Sequence, residues 1–351
     1  MMGKLKKLTG YRLFLPLSCL IIVLLINLIT TPTFFRITIN NGVLYGYIID
    51  VINRASELVV LAVGMTLVVS ASAGTDISVG AVMAVAAAVC TRVLAGGEVS
   101  VNEYANPYVL AVLAALAAAV VCGGFNGLLV AKLKIQPMVA TLILFTAGRG
   151  ISQLVTNGQI TYIRVDGYKL LGNNIPGIPI PTPIFVAVIV VVLTYILLKK
   201  TAMGMYIQSV GINERASRLV GLKSVKIIWM AYAFCGLCAG IAGLVASSRI
   251  YSADANNIGL NMELDAIAAV ALGGNSLGGG RFSLLGSVIG AYTIQALTTT
   301  LYAMSVPADQ IPVYKAIVVI LIVAVQSEEL KKFRKRLASR HSSKNVEGGV
   351  A

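Results

Sequence analysis

Long apolar runs, separated by short polar or glycine-rich segments, divide the chain into ten candidate membrane spans. Most of these runs approach the ~20 residues that a helix needs to cross a bilayer. The pattern predicts an all-α polytopic membrane protein, because a helix satisfies its backbone hydrogen bonds within lipid. The predicted spans are 13–31, 57–71, 79–95, 108–131, 138–155, 184–198, 227–247, 263–272, 282–302 and 313–325.

Two polar breaks that contain glycine interrupt this pattern, at 72–78 and at 273–281. The predicted spans 57–71, 263–272 and 313–325 are also short for a bilayer. Broken or re-entrant helices usually line cavities, because their unpaired backbone groups cannot face lipid. We therefore expect the segments beside both breaks to shape a transport pathway.

Few polar side chains lie in or beside the predicted spans. Asp76 is the least expected, because a charged side chain at the bilayer centre costs about 2.5–3.5 kcal/mol on insertion scales. Asp76 is either a cap on the following helix, whose free N–H groups favour an anion, or part of a polar lining or gate. Structural pairing is likewise an alternative for every pathway or gate candidate. The candidates are Asp76, Ser78, Asn126, Gln136, Arg149, Asp265 and Asn275.

The segment 201–226 is the longest polar and charged insertion inside the chain. Because 57% of the residues are hydrophobic and only 12% are charged, we expect this segment to lie on one side of the membrane. Asn213 is predicted to cap a short helix, 214–220, which Gly221 ends. Such a helix is suited to a groove on a cytosolic partner. An ordinary basic loop is the alternative.

The charges are distributed unevenly along the chain, which has 28 Lys and Arg, 14 Asp and Glu, and a net charge of +14. Cations concentrate in 1–12, 132–134 and 201–226 and after residue 329, which indicates that these segments and both termini are cytoplasmic. We therefore predict a cytoplasmic tail at 1–12, one transmembrane domain at 13–327 and a basic cytoplasmic tail at 328–351. This distribution is typical of membrane topology rather than of nucleic-acid binding.

Two further motifs resemble sites of other chemistry. Cys235 and Cys238 have C-x-x-C spacing, but a zinc site needs four ligands and the only histidine, His341, lies in the tail. We predict that the five cysteines are packing residues. The glycine-rich segment 274–281 lacks the Gly-Lys-Ser/Thr that ends a phosphate loop. We therefore expect no cofactor in this chain, and any ATP with its Mg²⁺ would have to be bound by another chain.

Several motifs together resemble the permease subunits of bacterial ABC sugar importers of the ribose/galactose/xylose type. The similarity covers about 49–327, and within the family 253–257 and 325–327 most resemble the galactofuranose type. The motifs are Gly64-Met-Thr-Leu67, Thr75-Asp-Ile-Ser-Val-Gly80, Lys134-Ile-Gln-Pro137, Gly148-Arg-Gly150, Gly211-Ile-Asn-Glu-Arg-Ala-Ser-Arg218, Glu263-Leu-Asp265 and Gly273-Gly-Asn-Ser-Leu-Gly-Gly-Gly-Arg281.

The resemblance implies a transporter subunit without enzymatic chemistry, in the cytoplasmic membrane of a bacterium. A second copy or a paralogue would complete the pathway for a monosaccharide. A periplasmic or lipid-anchored binding protein would deliver the sugar, and a cytosolic ATPase subunit would hold the coupling segment. The implied coupling residues are Gly211, Asn213, Glu214, Arg215, Ala216, Arg218 and Gly221.

Two alternatives to a sugar importer remain open. The same machine could carry a nucleoside or a branched-chain amino acid. A stand-alone secondary transporter driven by an ion gradient is the alternative from another class. The polar groups in the spans are too few to resemble a proton relay, which counts against a proton-coupled mechanism.

Overall fold

The helices form along the apolar runs, in a computed structural model that describes residues 13–40 and 42–326. The described part contains twelve α-helices, and most follow the predicted spans. They are α1 (Phe14–Thr30), α2 (Tyr47–Ser72), α3 (Val79–Ala95), α4 (Tyr108–Ala131), α5 (Pro137–Val155), α6 (Thr182–Lys200), α7 (Met203–Ile212), α8 (Glu214–Leu219), α9 (Ser224–Ile250), α10 (Met262–Leu272), α11 (Leu284–Ala303) and α12 (Ile311–Gln326).

Helices α2, α3 and α9 form the centre of the bundle. Helix α9 packs against α2, α3 and α4, and α2 and α3 are apolar around most of their circumference, which is typical of buried helices. Small residues allow the close contacts. A Cβ at Gly64 would lie 3.0 Å from the Cα of Cys235 and from the Cβ of Cys238, and one at Gly123 would lie 2.9 Å from the Cα of Gly236.

Four of the five cysteines are buried and Cys122 is partly buried, and their role as packing residues stays a prediction. Cys235 and Cys238 are free thiols and are buried. Within the described ranges, no group of His, Cys, Asp and Glu side chains is arranged to hold a metal ion.

Peripheral helices present apolar side chains outwards, as lipid-facing helices do. Six of the described helices, α2, α4, α5, α6, α9 and α11, are long and apolar enough to cross a membrane by length and composition. The count of ten spans and the cytoplasmic position of the termini stay predictions. The two tails, 1–12 and 328–351, lie outside the described residues.

Helix α2 is longer than predicted. The prediction placed a short span at 57–71, but the helix has 26 residues, Tyr47–Ser72. Charged residues near the start of this helix interrupt the apolar pattern from which the span was predicted. In the structure, the charge of Glu57 is balanced by Arg249 of α9, whose Nη2 lies 3.1 Å from Glu57 Oε1. The prediction of a short second span is therefore wrong, whereas α10 and α12 are short, with 11 and 16 residues.

The two ends of the bundle carry different structures. One small sheet is an antiparallel hairpin of β1 (Thr38–Asn40) and β2 (Val43–Tyr45). The other has the order β3–β4–β5 and defines the strand face of the bundle. Its strands are β3 (Ser100–Val101), β4 (Thr161–Ile163) and β5 (Ser252–Ala253).

The opposite end is formed by 132–137, 201–226 and 273–281, and we call it the coupling face after the role predicted for 201–226. Lys134 lies 2.5 Å from Glu214, and Gly280 N donates to Ser70 O at 2.9 Å. These contacts bring the three segments together beside the C-terminus of α2.

Candidate transport and coupling site

Helix α3 begins about halfway through the bundle. A Cβ at Gly148 of α5 would lie 3.0 Å from the Cβ of Ala81, and Gly148 lies 11 residues, or about 17 Å, beyond the start of α5. The chain reaches this depth after Ala73, whose left-handed φ of +52° ends α2. The predicted break at 72–78 therefore turns the chain back alongside α2, so that α3, with 17 residues, begins inside the bundle.

Asp76, Ser78 and Asn126 meet in one buried hydrogen-bonded cluster. Asp76 Oδ1 accepts from Ser78 N at 2.9 Å and from Ser78 Oγ at 2.7 Å. Asn126 Nδ2 donates to Ser78 Oγ at 2.8 Å and approaches Asp76 Oδ1 at 3.4 Å. Asp76 Oδ1 thus closes a local turn with the N–H of Ser78, the residue before α3, and α3 itself has no side-chain N-cap hydrogen bond.

The start of α10 meets the start of α3. A Cβ at Gly80 would lie 2.2 Å from Gly259 O and 2.4 Å from Glu263 Oε2, so only glycine fits. Arg149 positions the chain before α10, because its Nη1 donates to Ala255 O at 2.9 Å and to Ile258 O at 2.5 Å. The N-termini of α3 and α10 therefore face each other, with their positive dipole ends directed to one region.

Asn275 organises the second break, 273–281. Its Nδ2 donates to Val270 O at 3.0 Å and to Ser287 Oγ at 2.8 Å, and its Oδ1 accepts from Ser283 N at 2.5 Å. Ser287 Oγ in turn lies 2.6 Å from Thr66 Oγ1 of α2. Asn275 is 8% exposed, so it acts as an internal tie between the end of α10, the start of α11 and α2.

Gly211 lies where the coupling segment contacts the ends of both broken helices. A Cβ there would lie 1.7 Å from Ser70 O and 2.7 Å from Gly280 N. Gly279 packs beside it, with its Cβ position 2.9 Å from Ala73 Cβ and 3.0 Å from Gly211 O. The end of α7 is therefore in direct backbone contact with the end of α2 and with the loop after α10.

The predicted short helix is present as α8, Glu214–Leu219. Asn213 Oδ1 accepts from Ala216 N at 3.0 Å, as an N-cap does, and Gly221 has the positive φ of +87° typical of a helix end. The helix is one residue shorter than predicted, because Val220 is its C-cap.

Glu214 faces the permease rather than the outside. Its Oε1 accepts from Lys134 at 2.5 Å, from Ser224 at 3.1 Å and from Arg218. Partial burial raises the pKa of Glu214, but the hydrogen bonds from Lys134, Arg218 and Ser224 outweigh it and hold the pKa below its usual value. Glu214 therefore ties α8 to the turn 132–137.

The opposite side of α8 is exposed. Leu219 and Val220 are 89% and 78% exposed, and Arg215 and Ala216 are exposed beside them, whereas Ser217 is buried. Single exposed apolar residues are common on protein surfaces, but two adjacent ones on a capped helix form a defined projection. The side of α8 that carries these exposed residues is therefore directed away from the permease.

Asp265 and Gln136 lie apart from these clusters. Asp265 pairs with Lys315 of α12 at 2.7 Å and 2.9 Å, a partner that the sequence analysis missed. Gln136 is exposed and lines a pocket of about 330 Å³ at the coupling face, together with Glu214. Of the predicted pathway residues, only Asp76, Ser78 and Asn126 come together.

A cavity of about 640 Å³ opens near the strand face, and we call it the strand-face cavity. Its wall includes Asp265 and, among the residues that the sequence analysis did not select as site residues, four Arg, Glu or Gln side chains. Charged groups in apolar surroundings need partners, and the presence of Glu57 and Arg249 in apolar runs was the available signal. The four residues are Arg54, Glu57, Arg249 and Gln295.

Helices that begin inside the bundle, as α3 and α10 do, and apolar helices around them are the arrangement expected of a polytopic membrane protein. A family described as branched-chain amino acid transport system / permease component matches residues 47–326. The chain belongs to this permease family and is a multi-pass membrane protein.

Similar proteins are permeases of sugar importers. The chain is 44% identical to the galactofuranose transporter permease protein YtfT of Escherichia coli (strain K12), over 92% of each chain. It is 37% identical to the fructose import permease protein FruF of Bifidobacterium longum (strain NCC 2705), over 99% of this chain and 96% of the relative. It is 35% identical to the ribose import permease protein RbsC of Escherichia coli (strain K12), over 89% and 93%. No solved structure matches the chain.

These matches confirm the resemblance to ABC sugar-importer permeases that the motifs predicted. The roles predicted for individual residues stay predictions, because the matches concern whole chains.

Proposed function

We propose that the chain is the permease subunit of an ATP-driven importer that carries a monosaccharide across the bacterial cytoplasmic membrane. A binding protein would deliver the sugar, and a partner ATPase would hydrolyse ATP. Galactofuranose or a related sugar is the proposed cargo, supported by the name of the relative that is 44% identical. The pathway would lie against a second copy or a paralogous permease.

The observation that carries this proposal is the position of Gly211. Backbone contacts join it to Ser70 and Gly280, which neighbour the two breaks. On the same segment, α8 projects Leu219 and Val220 outwards. A partner that grips α8 would therefore act on both broken helices through one rigid contact. Since packed interfaces switch between discrete arrangements, this is a means of coupling ATPase closure to the pathway.

The pathway candidates have two proposed roles. The cluster of Asp76, Ser78 and Asn126 would fix the start of α3, and Arg149 would fix the chain before α10. The mid-depth region between these two helix N-termini is the proposed gate, because both positions depend on contacts that reach the coupling face.

Reconstituted vesicles test the proposal. Uptake of labelled sugar should require ATP inside, the ATPase subunit and the binding protein outside. Uptake by this chain alone that an ionophore abolishes would contradict the proposal and favour a secondary transporter. The family description also makes a branched-chain amino acid the second candidate cargo, so excess leucine should leave sugar uptake unchanged.

A second experiment tests the coupling residues. Arg215→Glu and Leu219→Asp change only outward-facing groups of α8, so they should reduce co-purification with the ATPase while leaving the spans folded. Arg164→Glu, an exposed cation after β4 on the strand face, is the matched control and should have no effect. Unchanged co-purification of both α8 variants would show that the coupling assignment is wrong.

A further inference from the structure

A second cavity, of about 510 Å³, lies where the end of α6 meets α7 and the start of α11, and we call it the α6–α11 cavity. Its volume lies within the ~300–1,000 Å³ of typical ligand pockets. Apolar side chains of all three helices form one part of its wall. The other part is polar and contains Lys199, Thr201, Gln208 and Ser283. The cavity is therefore amphipathic.

The α6–α11 cavity is accessible from the side of the bundle that faces lipid. Helix α6 is apolar and directed outwards, with Leu193 61% exposed and Ile196 48% exposed, as expected of a span surrounded by acyl chains. Tyr195 and Leu285, which belong to the cavity wall, are 45% and 47% exposed. A molecule in the surrounding lipid can therefore reach the wall without passing through packed protein.

The polar part of the wall is positively charged. Lys199 is exposed in the last turn of α6, and the exposed cations Lys200 and Arg281 directly adjoin wall residues in the sequence. Among residues 13–40 and 42–326, no aspartate or glutamate lines this cavity, and no carboxylate pairs with any of the three cations. The wall therefore presents uncompensated positive charge to an anion.

Helix dipoles account for only part of this charge. Lysines at the C-terminus of α6 complement its dipole and are common where a span meets the membrane surface. Arg281, in contrast, shortly precedes α11, whose first residue is Leu284, and a cation near a helix N-terminus is disfavoured. An anion bound in the cavity would offset this unfavourable position.

We propose that the α6–α11 cavity binds one anionic phospholipid, with its phosphate beside Lys199 and its acyl chains along the apolar surface of α6. Lys199 and Gln208 can donate hydrogen bonds to phosphate oxygens, and basic pockets between spans are typical sites for anionic headgroups. The adjoining apolar surface favours a lipid over free inorganic phosphate. The tails of the chain, 1–12 and 328–351, are disfavoured as occupants because both have a net positive charge.

A lipid in this cavity would act on the position of α7. The start of α7 packs closely on the end of α6, because a Cβ at Gly204 would lie 2.4 Å from Leu198 O, and both residues line the cavity. Gly211, near the other end of α7, contacts Ser70 and Gly280. We therefore expect the bound lipid to hold α7 in place and to raise the thermal stability of the protein, as ligands of the folded state do. This effect does not depend on which cargo the protein carries.

Lipid binding to the full-length permease tests the proposal. Delipidated protein in detergent is titrated with phosphatidylglycerol, or with phosphatidylcholine that has the same acyl chains, and native mass spectrometry counts the bound lipids. We expect one phosphatidylglycerol to bind first, with an affinity about tenfold or more above that of phosphatidylcholine, because only the former has a net negative charge. Millimolar inorganic phosphate should leave this lipid bound.

Removing the cations should weaken lipid binding. Lys199→Gln/Lys200→Gln should lower the affinity for phosphatidylglycerol by about 25-fold, or about fivefold for each lysine, and Arg281→Gln should lower it by about fivefold. Lys223→Gln/Lys226→Gln is the matched control, because it removes two lysines from exposed positions of the coupling face outside the cavity wall. The control should bind the lipid, and gain thermal stability from it, as the wild type does.

Leu285→Trp tests the cavity separately from its charge. This change leaves every cation in place and adds bulk to the apolar wall, so it should also weaken lipid binding.

Equal binding of the two lipids, displacement of phosphatidylglycerol by inorganic phosphate, or equal affinities of the Lys199→Gln/Lys200→Gln variant and its control would contradict the proposal. Unchanged binding by Leu285→Trp would show that the lipid does not occupy this cavity. A Lys199→Gln/Lys200→Gln protein that binds lipid normally but no longer co-purifies with the ATPase would assign the cavity to the ATPase contact instead.

Discussion

Replacing Gly211 with alanine should separate α7 from the two broken helices. The added Cβ would lie 1.7 Å from Ser70 O, whereas real Cβ contacts essentially never fall below 3.0 Å, so this gap must open by about 1.3 Å. The neighbouring atom is a backbone carbonyl oxygen, which cannot move away as a flexible side chain can. The same carbonyl accepts the hydrogen bond from Gly280 N at 2.9 Å, and the displacement would strain or break that bond.

The expected loss of stability follows from three contributions. Forced displacement in packed structure costs about 1–3 kcal/mol, and the lost backbone hydrogen bond costs about 1 kcal/mol. Alanine returns up to about 1 kcal/mol through its higher helix propensity. We therefore expect Gly211→Ala to lower the free energy of unfolding by about 1–3 kcal/mol. Gly150→Ala in α5 is the matched control, because no atom lies within 4 Å of its added Cβ, and it should stabilise by up to about 1 kcal/mol.

The assay is an unfolding titration of both variants in the same detergent, combined with ATP-dependent sugar uptake. We expect Gly211→Ala to reduce uptake more than ATP hydrolysis, because the contact between the coupling segment and the breaks is disturbed while the outer face of α8 is unchanged. A Gly211→Ala protein as stable as Gly150→Ala, with normal uptake, would refute the contact geometry and the coupling role drawn from it.

Three further changes test individual contacts. Glu214→Gln should lower the free energy of unfolding by about 0.2–1 kcal/mol for each half-exposed ion-pair partner. Because the pKa of Glu214 is lowered in the folded state, its contribution to wild-type stability is present above its unfolded pKa and is lost as the pH falls through the folded pKa. An acid titration of unfolding should therefore show this loss in the wild type and not in the variant. Lys315→Met should lower the free energy of unfolding by about 2–3 kcal/mol, because it leaves Asp265 unpaired. Adding Asp265→Asn to the same chain should recover most of this loss in a double-mutant cycle. Additive losses would contradict the pairing. Asn126→Leu should cost about 2–3 kcal/mol because Ser78 loses its buried donor, and an unchanged unfolding curve would show that this contact is not stabilising.

Local signals in the sequence predicted where several helices begin and end. Helices α3 and α4 begin and end at the predicted residues, because a serine or proline precedes each and a glycine or lysine follows. The cap at Asn213 and the end at Gly221 were predictable for the same reason, since both depend on neighbours within a few residues. The two breaks that contain glycine were likewise visible, because their polar residues interrupt apolar runs.

Long-range charge pairing was not predictable in this way. Glu57 and Arg249 are 192 positions apart and form an ion pair, and α2 begins ten residues before the predicted start. Lys315 and Asp265 are also on separate helices, and Lys315 lies within a predicted span without having been selected. A single sequence shows that such charges need partners but not which partner the fold supplies.

The inward direction of Glu214 changes the expectation for the coupling helix. Sequence reasoning grouped Glu214 with Arg215 and Ala216 as one contact surface, but its carboxylate already accepts from Lys134 and Arg218. Glu214 should therefore stabilise the position of α8 on the permease, while Arg215, Ala216 and the apolar projection remain for the partner. The two effects can be distinguished. Losing the contacts of Glu214 with Lys134 and Arg218 should weaken coupling without abolishing ATPase binding, whereas altering the outer face of α8 should abolish ATPase binding itself.

Helices α3 and α10 both begin at mid-depth, whereas the chain before α3 and the loop after α10 lie at the coupling face. A Cβ at Gly80 would overlap Gly259 O, so the starts of α3 and α10 cannot separate or slide without breaking close backbone packing. At the coupling face, Gly211 touches the end of α2 and the loop after α10. We expect one displacement of α7 to reach both sides of the mid-depth contact, since helices transmit movement along their axes as rigid rods. Because both contacts are between backbones, residues bulkier than glycine at Gly80 or Gly211 should impair transport in the same way, although Gly80 lies at mid-depth and Gly211 at the coupling face.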